Sequence, residues 1–550
     1  MMKKYFIQAA LVILIISGLQ SCTGKTSDLI VINARIYTVD SNFTIAEAMA
    51  IKDGKIQAIG KTTDITEAYS ASDIIDADGK YIYPGFIDAH AHFFGLAGDL
   101  RQASLFGAES WSECLLRLQN FVKEKRIEKG EWIIGNGWDQ NIWPEKNFPD
   151  RDSLDYYFPE NPVLLSRVDG HAAIVNRAAF NAAGVNEPKQ ITGGEMITKN
   201  GRLTGVLIDN AIDLVSNAIP EDSESDIKAS LLEAQQKLFE KGLTTIVDCG
   251  LSHTAVEKLK ELQSSGELKM RMYVMLSDQK ENYDYILQQG KIKTERLNVR
   301  SFKIFGDGAL GSRGACLLHP YSDDKNNTGF LLSNHDHFDS VANFLYTHDL
   351  QMNTHAIGDS ANRTILKIYA KYLKGKNDRR WRIEHAQVVD PADFQYFAGN
   401  SVIPSVQPTH GTSDKNWAID RLGAERIKSA YAYKKLLEQN GWLALGTDFP
   451  VEDIDPFKTF FAAVIRKDLK GLPAEGFQME NALTKEETLR GMTIWAAKAN
   501  FEENEKGSLE PGKYADFIIL DQDIMQAEEN EILNIKVLST YLNGERVHNQ

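Results

Sequence analysis

Cysteine is scarce. Only Cys22, Cys114, Cys249 and Cys316 carry it in 550 residues, and the last three fall at unrelated spacings, so no disulfide framework is expected. Basic charge is also in short supply: 61 Lys and Arg stand against 76 Asp and Glu, a formal net charge of −15. Phosphate binding needs a basic face, which argues against nucleic acid as a partner. Long apolar runs are missing apart from one, residues 5–19, and that one is short for a spanning helix of about 20 residues. Neither an internal repeat nor a low-complexity tract occurs.

What is present begins at the N-terminus. Lys3 and Lys4 precede the apolar run, which then meets Gln20, Ser21 and Cys22. A basic start, a short apolar core and a small residue before the cut form a secretory signal. A cysteine directly after the core resembles a bacterial lipobox, over residues 1–22. That resemblance implies an exported lipoprotein, periplasmic or at the cell surface, held to the membrane only by a lipid on Cys22. Plain secretion with an unremarkable cysteine is the alternative.

The mature chain is globular in composition, 43% apolar and 25% charged, and exceeds one ordinary domain. Its two ends are alike. Residues 28–83 are rich in β-formers, with Asp53-Gly54 as a hairpin turn, and residues 500–550 have the same character. The two ends are expected to pair into one small β-sandwich. Between them apolar strands alternate with helical patterns, which favours a parallel α/β barrel. The strands read as 85–92, 243–249, 270–276, 299–305, 351–355, 382–386, 402–407 and 442–447. Eight is the count of a closed (β/α)8 TIM barrel, placed over 84–499. A helix is expected over 224–241, stopped by Gly242. The gap from about 95 to 242 is too long for one crossover and is expected to hold an inserted α/β subdomain, with 132–138 and 162–175 strand-like.

One stretch organises the rest. Residues 83–92 run from a Pro-Gly break through apolar Phe86 and Ile87 to two histidines one residue apart. Side chains alternate along a strand, so His90 and His92 point the same way, with Asp88 in line behind them. In a barrel the active site collects where several strands end. Lys303 lies inside the fourth strand, His355 and His385 end the fifth and sixth, and Asp448 ends the eighth. Singly, each has a structural explanation: a snorkelling lysine, hydrogen-bonded histidines, an aspartate capping a helix. Together, four of the chain's 12 histidines with a lysine and an aspartate at one pole point to a metal site.

His90, His92, Lys303, His355, His385 and Asp448, in that order on strands one, four, five, six and eight, resemble the amidohydrolase superfamily of metal-dependent hydrolases. The long insertion, Asp169-Gly170-His171, residues 307–313 and Gln407-Pro408 are similar to the branch containing N-substituted formamide deformylase. The resemblance implies that His90, His92 and Asp448 bind the more buried zinc and His355 and His385 a second. A carboxylated Lys303 would bridge the two. It further implies hydrolysis of an amide-type C–N bond of a small molecule by a metal-activated water, with Asp448 as general base and then acid. His171 is expected to assist the oxyanion, and Asp307 or Arg313 to bind the substrate's polar end unless they pair with each other. A mononuclear deaminase or cyclic-amide hydrolase is the enzymatic alternative, and a non-catalytic binding lipoprotein the other. Adenosine-type deaminases carry a glutamate three residues after the strand-five histidine, where this chain has Gly358. Assembly into a homo-oligomer is left open.

Overall fold

The computed structural model describes residues 25–550 apart from 169, 171, 192–193 and 221–222. Cys22 and His171 lie outside the described residues, and with them the lipidation site and the expected oxyanion helper.

Both chain ends build the small β unit. One sheet pairs Lys25–Ile32 with Ala48–Lys52 and Tyr69–Asp76, and Lys55–Gly60 extends it. Asp53 and Gly54 turn this hairpin with φ of 50° and 74°, the two left-handed positions that make Asp-Gly a favoured two-residue turn. In the second sheet Tyr81–Pro84, from the N-terminal part, lies antiparallel to Phe517–Leu520, from the C-terminal part. Leu29, Val31, Ile36, Met49, Ile82, Phe517 and Tyr541 fill one core between the sheets. Both ends supply side chains to that core.

The central barrel is a parallel sheet in sequence order: β1 (Phe86–Ala91), β2 (Leu243–Leu251), β3 (Arg271–Ser277), β4 (Leu297–Phe305), β5 (Gln351–Ala356), β6 (Arg382–His385), β7 (Ile403–Val406) and β8 (Ala444–Leu445). These strands are buried on both faces because helices cover the outside and side chains fill the inside. The helix Glu224–Glu240 shows how the sequence sets such a cover. Ser223 and Asp226 form a capping box at its start, Leu231, Ala234 and Leu238 face the core, and Gly242 at φ 79° ends it.

β8 is shorter than its apolar run, and closure onto β1 is made by other means. Asp448 N–H donates to the His90 carbonyl at 2.8 Å, and His92 N–H to the Phe449 carbonyl at 2.9 Å. Buried Asp88 accepts from the Thr447 hydroxyl at 2.7 Å and its amide at 3.0 Å. Gly446 permits the approach: a Cβ there would lie 2.5 Å from the His90 nitrogen.

The insertion carries a six-stranded mixed sheet with its own core around Cys114, Leu118, Ile133, Trp138, Leu165 and Ile174. The apolar stretch 162–175 is a hairpin and not one strand. Val163–Arg167 pairs antiparallel with Ala172–Val175, and Gly170 at φ 72° supplies a turn conformation that periodicity alone does not reveal. Cys114, Cys249 and Cys316 are free thiols.

Candidate metal centre

The strand ends converge on Asp448. Its Oδ1 lies 3.2 Å from His92 Nε2 and 3.6 Å from His90 Nε2. Its Oδ2 lies 3.6 Å from His410 Nε2 and 4.0 Å from His385 Nδ1. The carboxylate thus stands between two pairs of imidazoles. Burial alone would raise the Asp448 carboxyl, but the surrounding imidazoles, His90 and His92 foremost, outweigh it and hold the group well below the carboxylate range.

The backbone serves this convergence. β1 ends at Ala91, so His92 leaves the strand and caps the helix Phe93–Asp99, yet it still reaches the same oxygen as His90. At the ends of β6 and β8, His385 and Asp448 take left-handed φ of 71° and 66°. Non-glycine residues adopt that conformation rarely, and such strain concentrates at functional sites.

Lys303 Nζ sits 3.0 Å from His90 Nε2. On its other side the His90 Nδ1 lies 2.5 Å from a Glu384 carboxylate oxygen. Burial and the nearby Lys303 push His90 down to about 4, so the ring is an imidazole that donates Nδ1–H to Glu384 and turns its Nε2 acceptor toward Lys303 Nζ. Burial would raise Glu384, but Arg382 and His90 hold it down at about 2. His385 donates likewise through Nδ1 to the Gln407 side-chain oxygen at 2.7 Å. Burial, with His355 alongside, lowers it well below the usual imidazole value. His355 is lowered to about 3 by burial and Lys303. Neutral imidazoles pinned through one nitrogen are the form in which histidine binds metal.

These residues fit a divalent cation. The His355 Nε2, His410 Nε2 and Asp448 Oδ1 atoms are buried and have no hydrogen-bond partner, a costly arrangement that a ligand relieves. His90, His92 and Asp448 form one trio whose ligand atoms lie within 4.8 Å of one another, and His385, His410 and Asp448 form another. Above them opens a cavity of about 630 Å3, walled by Phe305, Leu310, Ile357, Trp417 and Val451, with Gln387, Asp414 and Glu452 at its side.

Two residues expected to bind the substrate's polar end do not line this cavity. Asp307 is not part of the cavity lining, although one of its oxygens lies 3.7 Å from His355 Nε2. It is buried, and its oxygens accept from the backbone N–H groups of Cys316, Ile357 and Gly358 at 2.8 to 2.9 Å, which ties the loop after β4 to the end of β5. Arg313 does not line the cavity either. It pairs with Asp323 at 2.9 Å, and not with Asp307.

Three contributors escaped the sequence reading. His410 sits on the helix Pro408–Ser413 after β7, beyond the strand end where ligands were sought. Glu384 and Arg382 lie inside β6, and their signal was available: two opposite charges two residues apart in a strand buried throughout.

Comparison with known proteins agrees with this geometry. The model of the amidohydrolase family matches residues 73–548. The chain is 33% identical to Protein LONG AFTER FAR-RED 3 of Arabidopsis thaliana, over 97% of this chain and 94% of that protein. It is 26% identical to N-substituted formamide deformylase of Arthrobacter pascens, over 94% and 97% of the two. Among solved structures, an uncharacterised metal-dependent hydrolase from Pyrococcus horikoshii OT3 superimposes with a TM-score of 0.75 at 28% identity, over 91% of this chain and 99% of that one. With its barrel, its pole of imidazoles around one carboxylate and a family match over most of its length, this chain is a metal-dependent hydrolase belonging to the amidohydrolase family.

Proposed function

We propose that the chain hydrolyses an amide-type carbon–nitrogen bond of a small molecule, an N-acyl or N-formyl amine. The observation that carries this is Asp448: one buried carboxylate with four imidazoles within 3.2 to 4.0 Å of its two oxygens, at the floor of the cavity. Similarity to an N-substituted formamide deformylase points the same way. Zinc suits the donor set of imidazoles and a carboxylate. His90, His92 and Asp448 would hold one ion, and His355 and His385 a second, with Lys303 as a carbamate between them. When bound, such ions supply a nucleophilic water at neutral pH and polarise the scissile carbonyl.

Asp448 then takes the proton of the attacking water and delivers it to the leaving nitrogen, which departs as the amine. The apolar walls of Phe305, Leu310, Ile357 and Trp417 take up the organic substituent and keep bulk water from the reacting carbonyl.

The deaminase alternative is disfavoured at Gly358. A Cβ there would lie 2.1 Å from the Cys316 carbonyl oxygen, so the position has no room for the glutamate that adenosine-type deaminases use. We also propose export and a lipid anchor on Cys22 from the N-terminal sequence. Among the described residues no helix is long and apolar enough to cross a membrane.

The test is Asp448→Asn assayed with a panel of N-acyl and N-formyl amines, alongside metal analysis of protein purified with bicarbonate. Turnover should fall about 10²- to 10⁴-fold while most of the metal stays bound. Wild-type rates in the variant would sink the mechanism. Failure of wild-type protein to cleave any amide in the panel would sink the substrate class.

A further inference from the structure

His410 is the imidazole at the cavity floor that the two-ion ligand set proposed above leaves out, although it belongs to one candidate trio with His385 and Asp448. Its side chain is 13% exposed, its Nε2 lies 3.6 Å from Asp448 Oδ2, and that Nε2 has no hydrogen-bond partner. The ring lines the same cavity as Asp448 and stacks at 25° on His385, 5.9 Å away. It differs in support from His90 and His385, though not from His355, whose Nε2 is likewise without a hydrogen-bond partner. His90 is pinned through Nδ1 to Glu384 and His385 through Nδ1 to Gln407, whereas no described hydrogen bond holds the His410 ring. Metal-binding histidines almost always have such a partner on the second nitrogen. The helix Pro408–Ser413 instead fixes His410 through its backbone: Pro408 starts it, and the Tyr433 hydroxyl clamps the Gln407 carbonyl at 2.9 Å.

We propose that His410 is a catalytic hydrogen-bond donor. Its Nε2–H reaches the scissile carbonyl oxygen and binds it more tightly as that oxygen becomes an oxyanion. The proposal rests on the amide reading above. In the addition step the water oxygen forms a bond to the carbonyl carbon, the C=O pair moves onto oxygen facing His410, and the water proton goes to Asp448. On collapse the C–N bond breaks and the Asp448 proton leaves with the amine. Base and donor flank the reacting carbon from adjacent positions, and a preorganised donor aimed at developing charge acts on the transition state more than on the ground state. The role assigned from sequence to His171 is thereby filled by a residue of the barrel itself.

The rival is that His410 binds the ion with His385 and Asp448, since their ligand atoms lie close enough. The experiment separates the two. His410→Ala and His410→Gln are prepared as metal-loaded protein, and three quantities are measured: metal per chain, kcat and KM on an N-acetyl amine, and affinity for the matching methylphosphonamidate. The donor role predicts wild-type metal content and KM in both variants. It also predicts a kcat lower by about 10²- to 10³-fold in His410→Ala, partial recovery in His410→Gln, and phosphonamidate affinity falling in step with kcat. Loss of one metal equivalent in both variants overturns the proposal in favour of a ligand. Intact metal with kcat within threefold of wild type overturns it outright. If wild-type protein cleaves no amide, the amide reading has failed by itself. The phosphonamidate then still decides about His410, because a wild-type-to-variant affinity ratio near one excludes a donor at that place.

Discussion

At the residue scale the site depends on side chains that never touch the cavity. Glu384 is fully buried between Arg382, with Nε 2.7 Å from one oxygen, and His90 Nδ1, 2.5 Å from the other. It orients the His90 ring and keeps its Nε2 available. Replacing Glu384 with Gln keeps the shape but leaves the buried Arg382 guanidinium without its charge partner. We expect metal affinity to drop about 10- to 100-fold, measured by competition with a chelator, together with a lower melting temperature. Unchanged affinity would show that the barrel wall alone holds His90. The polar groups expected at the ends of apolar strands, His90, His92, Lys303, His355, His385 and Asp448, all line one cavity. The saturation of Asp307 and the position of His410 were not legible in the sequence, for one physical reason. Whether a loop aspartate is saturated by backbone N–H groups, and whether a helix beyond a strand end folds back over the site, are settled by contacts distant in sequence.

At the scale of elements, the join between β1 and β8 decides how well the floor holds together. Apolar runs between helical patterns were legible because most strands covered on both faces are rich in apolar residues. Their ends were less so: β8 proper is only Ala444–Leu445, and the chain beyond it closes the barrel through Thr447, Asp88 and Asp448. Gly446 lies at the tightest point. An added Cβ would meet the His90 nitrogen at 2.5 Å and an Asp88 oxygen at 2.8 Å, both held in the join and unable to retreat. Gly446→Ala should therefore cost about 1–3 kcal/mol, the usual range for overpacking, and should lower metal affinity with it. Gly399→Ala is the control. That glycine lies in the helix Gln395–Asn400 with open space around its Cβ position, and the change should stabilise by about 0.5–1 kcal/mol. Urea unfolding of both variants checks the pair. Equal effects of either sign would mean that the join is more compliant than its distances indicate.

At the scale of the whole molecule, the sandwich and barrel are locked by a buried ion pair that pattern reading of either end leaves out of view. Arg271 opens β3 with no exposure and reaches into the terminal unit. Its Nε lies 2.6 Å and its Nη2 3.2 Å from the two oxygens of Asp516, in the segment leading to the strand Phe517–Leu520. Nη1 donates to the Glu295 carbonyl at 2.7 Å, and the guanidinium stacks 4.0 Å over the Tyr514 ring. The Asp516 carbonyl in turn accepts from the Gly85 N–H at 3.0 Å, where the chain enters β1. One residue from the C-terminal part therefore touches both the third strand and the start of the first. Removing the cation alone, in Arg271→Met, strands a carboxylate in the interior, and breaking such a pair costs about 3–5 kcal/mol. Replacing both partners, in Arg271→Met with Asp516→Leu, removes the stranded charge and should recover a large part of that loss. The measurement is a double-mutant cycle by denaturant unfolding, followed in parallel by metal release. If the two units fold as one cooperative body, metal release and loss of secondary structure shift together in the single variant. If the terminal unit detaches first, a separate early transition emerges while the metal stays bound, and the pair would then serve docking and not the barrel's own stability.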